Sequence, residues 1–288
     1  MHVTTGADPR DLRADLHSHS NLSDGVLPPA ELVARARDHG VELYALTDHD
    51  EVAGLAEAAA TAERLGLAFV PGVEVSVTWG STTIHVVGLG VEYRDGRLQR
   101  RLEAVRAGRI RRAQEMSAQL ARAGIEGAFE GALVYAGNPQ MISRTHFARF
   151  LVETGHCRDV RDVFSRYLTE GKPGFVPHAW ASLEEAIDMI DDAGGVAVVA
   201  HPGRYKLNEL ALHTLLEQFQ NLGGTGLEVA TSNHTEREMR RFADLAREFG
   251  FEASGGSDFH GPGESENVEL GRVARLPNDL TPVWHRFV

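Results

Sequence analysis

Short apolar runs of strand character alternate with amphipathic helical stretches along most of the chain, and this alternation restricts the possible folds more than any other feature. The runs are Leu12–Leu16, Leu43–Thr47, Phe69–Val77, Thr83–Gly88, Val196–Ala200, Gly226–Val229 and Phe251–Gly255, with Leu270–Ala274 as a candidate last strand. Between them Pro28–His39, Val52–Leu65, Ser182–Ala193, Leu207–Gln220 and Glu236–Phe249 read as helices. The first of these opens on proline, whose fixed φ suits an initial helical turn, and places Leu32, Val33 and Ala36 at helical spacing before His39 and Gly40 close it. Strand, helix and strand in repetition predict an α/β fold with a mostly parallel sheet. About seven or eight such units in roughly 200 residues favour a TIM-like barrel over an open sheet.

Residues 97–180 break the rhythm. RLQRRLEAVRAGRIRRAQEMSAQLARAG reads as one long, Arg-rich helix, and ISRTHFARFLVETG and RDVFSRYLTEG as two more. The expectation is a barrel made of residues 11–96 and 181–288, interrupted by a helical insertion over 97–180 that caps the active-site mouth. The Arg run within 100–112 reads as a solvated helix face. The opening MHVTTGADPR reads as a loose leader without a role.

Charge and cysteine usage narrow the function. The 288 residues carry 29 Lys and Arg against 41 Asp and Glu, a net charge of −12. A sequence-independent grip on duplex nucleic acid needs a basic surface, so such a partner is not expected, although a small phosphorylated substrate in a locally positive pocket is compatible. Cys157 is the only cysteine, so an intrachain disulfide is ruled out and a reducing, cytoplasmic compartment is the natural setting. No apolar run reaches the roughly 18 residues of a membrane span, and no membrane partner is expected.

The chain has fourteen histidines, and their placement is informative. His17 and His19 follow the first strand, His49 the second, His201 the fifth and His260 the seventh, while Glu74 and His85 sit inside the third and fourth. Strand ends of a parallel barrel converge on one face, so His17, His19, His49, His85, His201 and His260 can meet Asp24, Glu74 and Asp258 in one bowl. His17 and His19 are two apart on a strand and point to one side; Asp258 and His260 repeat that spacing. Bare, such a cluster is prohibitively costly to bury, and cations supply the compensation. Nine N and O donors exceed one coordination sphere, which implies about two to three ions, and imidazole with carboxylate suits Mn, Fe or Zn. Asp48 can orient an imidazole from behind. By contrast His213, His234 and His285 read as ordinary structural histidines.

DLHSHSNLSDG, LTDHDEVAG, PGVEVS, VVAHPGR and GGSDFH together resemble the PHP (polymerase and histidinol phosphatase) family of metal-dependent phosphoesterases. SRTHFA (143–148), the helical insertion and YLTEGKPGFVP (167–177) are similar to its stand-alone nucleotide phosphoesterases, which include 3′,5′-nucleoside bisphosphate phosphatases and 5′→3′ exoribonucleases acting on short RNA. The resemblance implies a distorted (β/α)7 barrel with a trinuclear site. In that scheme His17, His19, Glu74 and Asp258 hold the first ion, Glu74 bridges to a second held by His85 and His201, and Asp24, His49 and His260 hold the third. All nine positions match.

The implied chemistry is phosphate-ester hydrolysis by a metal-activated hydroxide, with His201 or Asp48 as candidates for moving protons. The phosphate that is not cleaved needs its own contacts, for which Arg144, His146, Lys172 and Arg204 are the candidates. The expected substrate is a 3′,5′-nucleoside bisphosphate or a short 5′-phosphorylated RNA. Histidinol phosphate is the alternative substrate, and a non-catalytic nucleotide- or metal-binding module is the alternative class.

Overall fold

The computed structural model describes residues 11–94, 96–264 and 268–288. The opening MHVTTGADPR, expected to be a leader, lies outside the described residues. Seven strands form one sheet in chain order: β1 (Ala14–Asp15), β2 (Leu43–Leu46), β3 (Ala68–Trp79), β4 (Thr82–Leu89), β5 (Val196–Val199), β6 (Gly226–Thr231) and β7 (Glu252–Gly256). The sheet nearly closes, because the Leu16 N–H donates to the Gly255 carbonyl at 3.1 Å and Ser18 bridges Phe259. The expected α/β barrel is therefore present.

One strand runs the other way. β4 is antiparallel to both β3 and β5, while the remaining neighbours are parallel. Only Gly80 and Ser81 separate β3 from β4, a hairpin length, and Gly80 supplies a φ of +57°. A parallel return needs a crossover of about a dozen residues. Leu270–Ala274 forms no strand. The place it would take beside β7 is filled: β6 lies along one side, and on the other stand β1 and Thr281, whose carbonyl accepts the Ala253 N–H at 2.8 Å.

The helices are α1 (Pro29–Asp38), α2 (Leu55–Leu65), α3 (Arg97–Arg106), α4 (Arg109–Arg122), α5 (Ala128–Leu133), α6 (Arg144–Glu153), α7 (Val160–Val163), α8 (Leu183–Asp192), α9 (Glu209–Asn221) and α10 (Glu236–Phe249). Capping boxes start α8 (Ser182 with Glu185) and α10 (Thr235 with Glu238), satisfying backbone donors that a helix start leaves open. The Arg-rich stretch is two helices rather than one. It breaks at Ala107–Gly108, where a Cβ on Gly108 would collide with the His178 imidazole. No helix among the described residues is long and apolar enough to cross a membrane.

Strand alternation sorts side chains into two layers. Tyr44, Leu46, Val73, Val75, Val77, Val86, Val199, Leu227 and Val229 face the helices in the large outer core. The opposite parity, Leu43, Ala45, Val70, Val87, Leu89, Val198 and Ala200, fills the barrel interior with Trp284. Further along the same inward rows stand Glu74, His85 and Glu228, so the interior turns from apolar to polar toward one rim. Leu98 and Leu102 of α3 join the outer core of the barrel. Met116, Leu120, Phe147, Leu151 and Leu168 form a separate apolar cluster within 97–180.

Candidate functional site

The polar rim gathers its groups from six chain segments. His17 and His19 lie just beyond β1, which is shorter than the sequence suggests, and Asp24 lies in the turn after it. His49 comes from the end of β2 and bridges Glu74 of β3. His85 stands opposite Ser76 in the β3–β4 hairpin, which brings it beside Glu74 even though β4 is reversed. His201 follows β5, and Asp258 and His260 follow β7. The backbone is strained where it must turn these groups inward: Asp50, His201 and Asp258 have φ of 45°, 23° and 54°, in the left-handed region that non-glycine residues rarely enter.

All nine residues fall into four overlapping groups whose candidate ligand atoms lie within 4.8 Å of one another. Glu74 is central. Its Oε2 lies 2.8 Å from His49 Nδ1 and 3.3 Å from Nε2 of both His17 and His19. Its Oε1 lies 2.8 Å from His85 Nδ1 and 2.9 Å from His201 Nε2. Asp258 Oδ1 sits 3.2 Å from His19 Nε2, and Asp24 Oδ1 3.3 Å from His260 Nε2.

Protons alone serve this cluster poorly. Burial, then the neighbouring His260 and His49, push His19 down to about 3, and burial pushes His85 down to about 4. Burial also opposes a charge on His49, yet Glu74 and Asp24 override it and raise the ring to about 9. Glu74 is held well below the carboxylate range by His49, His85 and His17, against the cost of burial. Most telling are the buried polar atoms that lie close to one another yet make no well-directed hydrogen bond among the described residues. They include His17 Nε2, both ring nitrogens of His19, Asp24 Oδ1, His49 Nδ1, Glu74 Oε2, His201 Nδ1 and Asp258 Oδ1. Native interiors leave few such atoms, and a row of them on imidazoles and carboxylates fits divalent cations.

Glu228, which the sequence reading missed, supports the cluster from behind. Its Oε1 lies 2.7 Å from His17 Nδ1, and its Oε2 accepts the His201 N–H at 2.5 Å. A carboxylate on one ring nitrogen fixes which nitrogen faces the site. The available signal was an acid inside the apolar run GLEVA, the same signal that marked Glu74.

Asp48 bonds no imidazole among the described residues. Its carboxylate accepts from the Ser20 N–H at 2.7 Å, Ser20 Oγ at 2.5 Å and Ser23 Oγ at 2.6 Å, pinning the loop that carries His19 and Asp24. Burial raises it to about 6 despite those bonds.

A cavity of about 410 Å³ opens over the rim. Asp24, His49, His85, His201 and His260 of the rim line it, and the 97–180 span adds a wall that includes Arg109, Arg112, Arg144, Phe164 and Trp180. Arg204 also lines it and pairs with Asp258 Oδ2, leaving Oδ1 to face His19. Burial and the nearby Arg144 and Arg109 push Arg112 down to about 9, and burial with Arg109 lowers Arg144. The cavity is a strongly cationic place.

Of the expected phosphate contacts, Arg144 and Arg204 reach the cavity and two do not. Lys172 is exposed in a turn closed by Lys172 N–H to Thr169 O (3.0 Å) and Phe175 N–H to Lys172 O (3.0 Å); Thr169 of that turn lines the cavity, but Lys172 does not. His146 is fully buried, with Nδ1 accepting the Ser143 N–H at 3.0 Å in the cap of α6. The Arg run is only partly solvated. Arg106 and Arg109 are buried, donating to the Asp50 carbonyl and to its carboxylate.

The family model for the PHP domain matches residues 15–232, and the chain belongs to the PHP family. A 3′,5′-nucleoside bisphosphate phosphatase of Chromobacterium violaceum is 51% identical over 273 residues, covering 95% of each chain. A 5′–3′ exoribonuclease of Haemophilus influenzae is 40% identical over 273 residues, 95% of this chain and 98% of that one. Among solved structures, a candidate metal-dependent phosphoesterase from Bifidobacterium adolescentis superposes with a TM-score of 0.81 at 27% identity, covering 98% of both chains.

Proposed function

We propose that this protein is a metal-dependent phosphoesterase that removes phosphate from small nucleotides, with 3′,5′-nucleoside bisphosphates as the leading substrate and the 5′ end of short single-stranded RNA as the second. One observation carries the reading: Asp24, His49 and His201, each with an unpartnered ligand atom, line a cavity that Arg109, Arg112, Arg144 and Arg204 line as well. The 51% and 40% identical relatives, a nucleoside bisphosphate phosphatase and an exoribonuclease, favour a nucleotide over histidinol phosphate. An open ligand set beneath a substrate-sized cavity also favours an enzyme over a binding module.

In this reading about two to three divalent ions, of Mn, Fe or Zn, are held by His17, His19, Asp24, His49, Glu74, His85, His201, Asp258 and His260. When bound, such ions acidify water toward neutral pH and neutralise charge on the phosphoryl oxygens. The residues of the chain do the rest. Glu74 reaches five of the histidines and is the bridging carboxylate. Glu228 fixes His17 and the backbone of His201. Arg144 and Arg112 receive the phosphate that stays on the product, because guanidinium matches phosphate oxygens and neither has a carboxylate partner among the described ion pairs. Arg204 holds Asp258 and faces the same cavity. Of the two side chains considered for proton transfer, His201 borders the cavity and Asp48 does not. The 97–180 span acts as the cap. We place the protein in the cytoplasm, consistent with its single, free cysteine.

The deciding experiment measures phosphate release from adenosine 3′,5′-bisphosphate, a 5′-phosphorylated trinucleotide and histidinol phosphate side by side, with metal content determined on the same preparation. The expected result is preference for one of the nucleotides and about two to three equivalents of metal. Preference for histidinol phosphate, or less than about one equivalent of metal, would overturn the reading.

A further inference from the structure

Asp50 makes an unusual set of contacts for a residue that cannot touch a substrate. It is fully buried, does not line the cavity, and holds a left-handed φ of 45°. Its carboxylate accepts from the Ser76 N–H at 2.7 Å and Ser76 Oγ at 2.8 Å, and takes the Arg109 guanidinium on the same oxygen as Ser76 Oγ. Its carbonyl accepts from Arg106 Nη1 at 2.7 Å. Arg109 is thus reached by Asp50, while its guanidinium carbon lies 4.4 Å from the centre of the Trp180 ring. Arg109 does line the cavity.

We infer that Asp50 is a positioning residue that acts through Arg109. It fixes the guanidinium between a carboxylate and an indole, so that Arg109 presents a preset charge to the substrate phosphate. A flexible, solvated arginine would lose several rotamers on binding, whereas one already held loses little. The same contacts tie the His49 loop and β3 to the start of α4, so Arg109 is registered against the floor of the site. The inference rests on the phosphoesterase reading for the identity of the anion. The coupling of Asp50 to Arg109 is independent of it.

The test is a double-mutant cycle with Asp50→Asn, Arg109→Ala and the two combined, plus Arg109→Lys. Asparagine keeps the size, tolerates positive φ and still offers a carbonyl oxygen to Ser76. Two readouts are used on metal-loaded protein: calorimetric binding of inorganic phosphate, and kcat and KM for adenosine 3′,5′-bisphosphate. Each single alanine or asparagine variant is expected to weaken phosphate binding and raise KM about tenfold, with kcat within about twofold and metal content unchanged. The combined variant should be no weaker than Arg109→Ala alone. Additive losses, or an Asp50→Asn variant that loses metal and kcat at unchanged KM, would overturn the inference. If Asp50→Asn fails to fold, Arg109→Lys decides. Lysine keeps the charge but cannot stack as a plane, so a wild-type KM would mean that orientation is irrelevant and the inference is wrong. Should the wild type leave the bisphosphate intact while phosphate binding still shows the non-additive cycle, the substrate reading fails and the positioning role stands.

Discussion

Residues 97–180 carry fourteen of the 29 Lys and Arg residues but only eight of the 41 Asp and Glu, while the remainder of the chain holds fifteen against 33. The acidic part supplies the rim of buried carboxylates and imidazoles, and the basic part supplies the arginine wall facing it. Each region is electrostatically incomplete alone: the rim leaves ligand atoms unpartnered, and the wall crowds guanidinium groups until Arg112 is pushed down to about 9 by burial and its neighbours. In the function proposed above, cations complete the first and a phosphate completes the second. On that proposal the difference is a division of labour, in which the rim handles the reacting group and the wall handles what else the substrate carries.

That division can be broken experimentally. The largest effect should come from His17→Ala, which removes a ring shared by two of the four ligand groups. Phosphate release should vanish on every substrate while circular dichroism stays near wild type. Substantial remaining turnover would mean that the rim is not the reaction centre. A smaller loss is expected from Glu228→Gln, roughly ten- to a hundredfold in metal affinity or activity, as for other carboxylates behind a metal-bound histidine. A metal titration followed by activity checks this, and an unchanged affinity would remove Glu228 from the support of His17. The smallest pair sharpens the comparison. Arg144→Ala should cost about ten- to a hundredfold in kcat/KM on adenosine 3′,5′-bisphosphate and far less on a simple aryl phosphate, whereas Lys172→Ala should change neither. Equal losses of Arg144→Ala on both substrates would make Arg144 part of the machinery common to all substrates and dissolve the distinction between rim and wall.

The rim was far more readable from sequence than the wall. Each rim group is announced by its place at or inside a short apolar strand, and barrel geometry brings such places together whatever the details. Glu228 escaped because an acid within an apolar run was weighed at Glu74 but passed over in GLEVA. In the wall, helical periodicity tells which residues share a face, not where the face turns, so Arg109 and Arg112 could be read as solvated. Lys172 shares a turn with Thr169, and it is Thr169 rather than the lysine that lines the cavity, a choice that chain order alone leaves open. The reversed β4 carried a local signal in Gly80–Ser81, too short for any crossover, that the repeating strand–helix rhythm concealed.

The reversed strand also explains how a long excursion fits into a closed barrel. Because β4 descends, the chain leaves it at the apolar end, climbs back along the outer core as α3, and reaches the rim at Arg106 and Arg109. It returns there as well: the Trp180 N–H donates to Thr78 Oγ1 at 2.8 Å, and Ala181 bridges Val77 before α8 descends to β5. Departure and arrival touch, with Arg109 stacked on Trp180. The span between them enters and leaves at one doorway, and it is tied down again farther on, where Arg149 donates to the Asp24 carbonyl at 2.6 Å and Thr145 Oγ1 to Asp24 Oδ2 at 3.0 Å. Because both ends meet at that doorway, the chain can make an excursion of more than eighty residues without altering the order of the barrel strands.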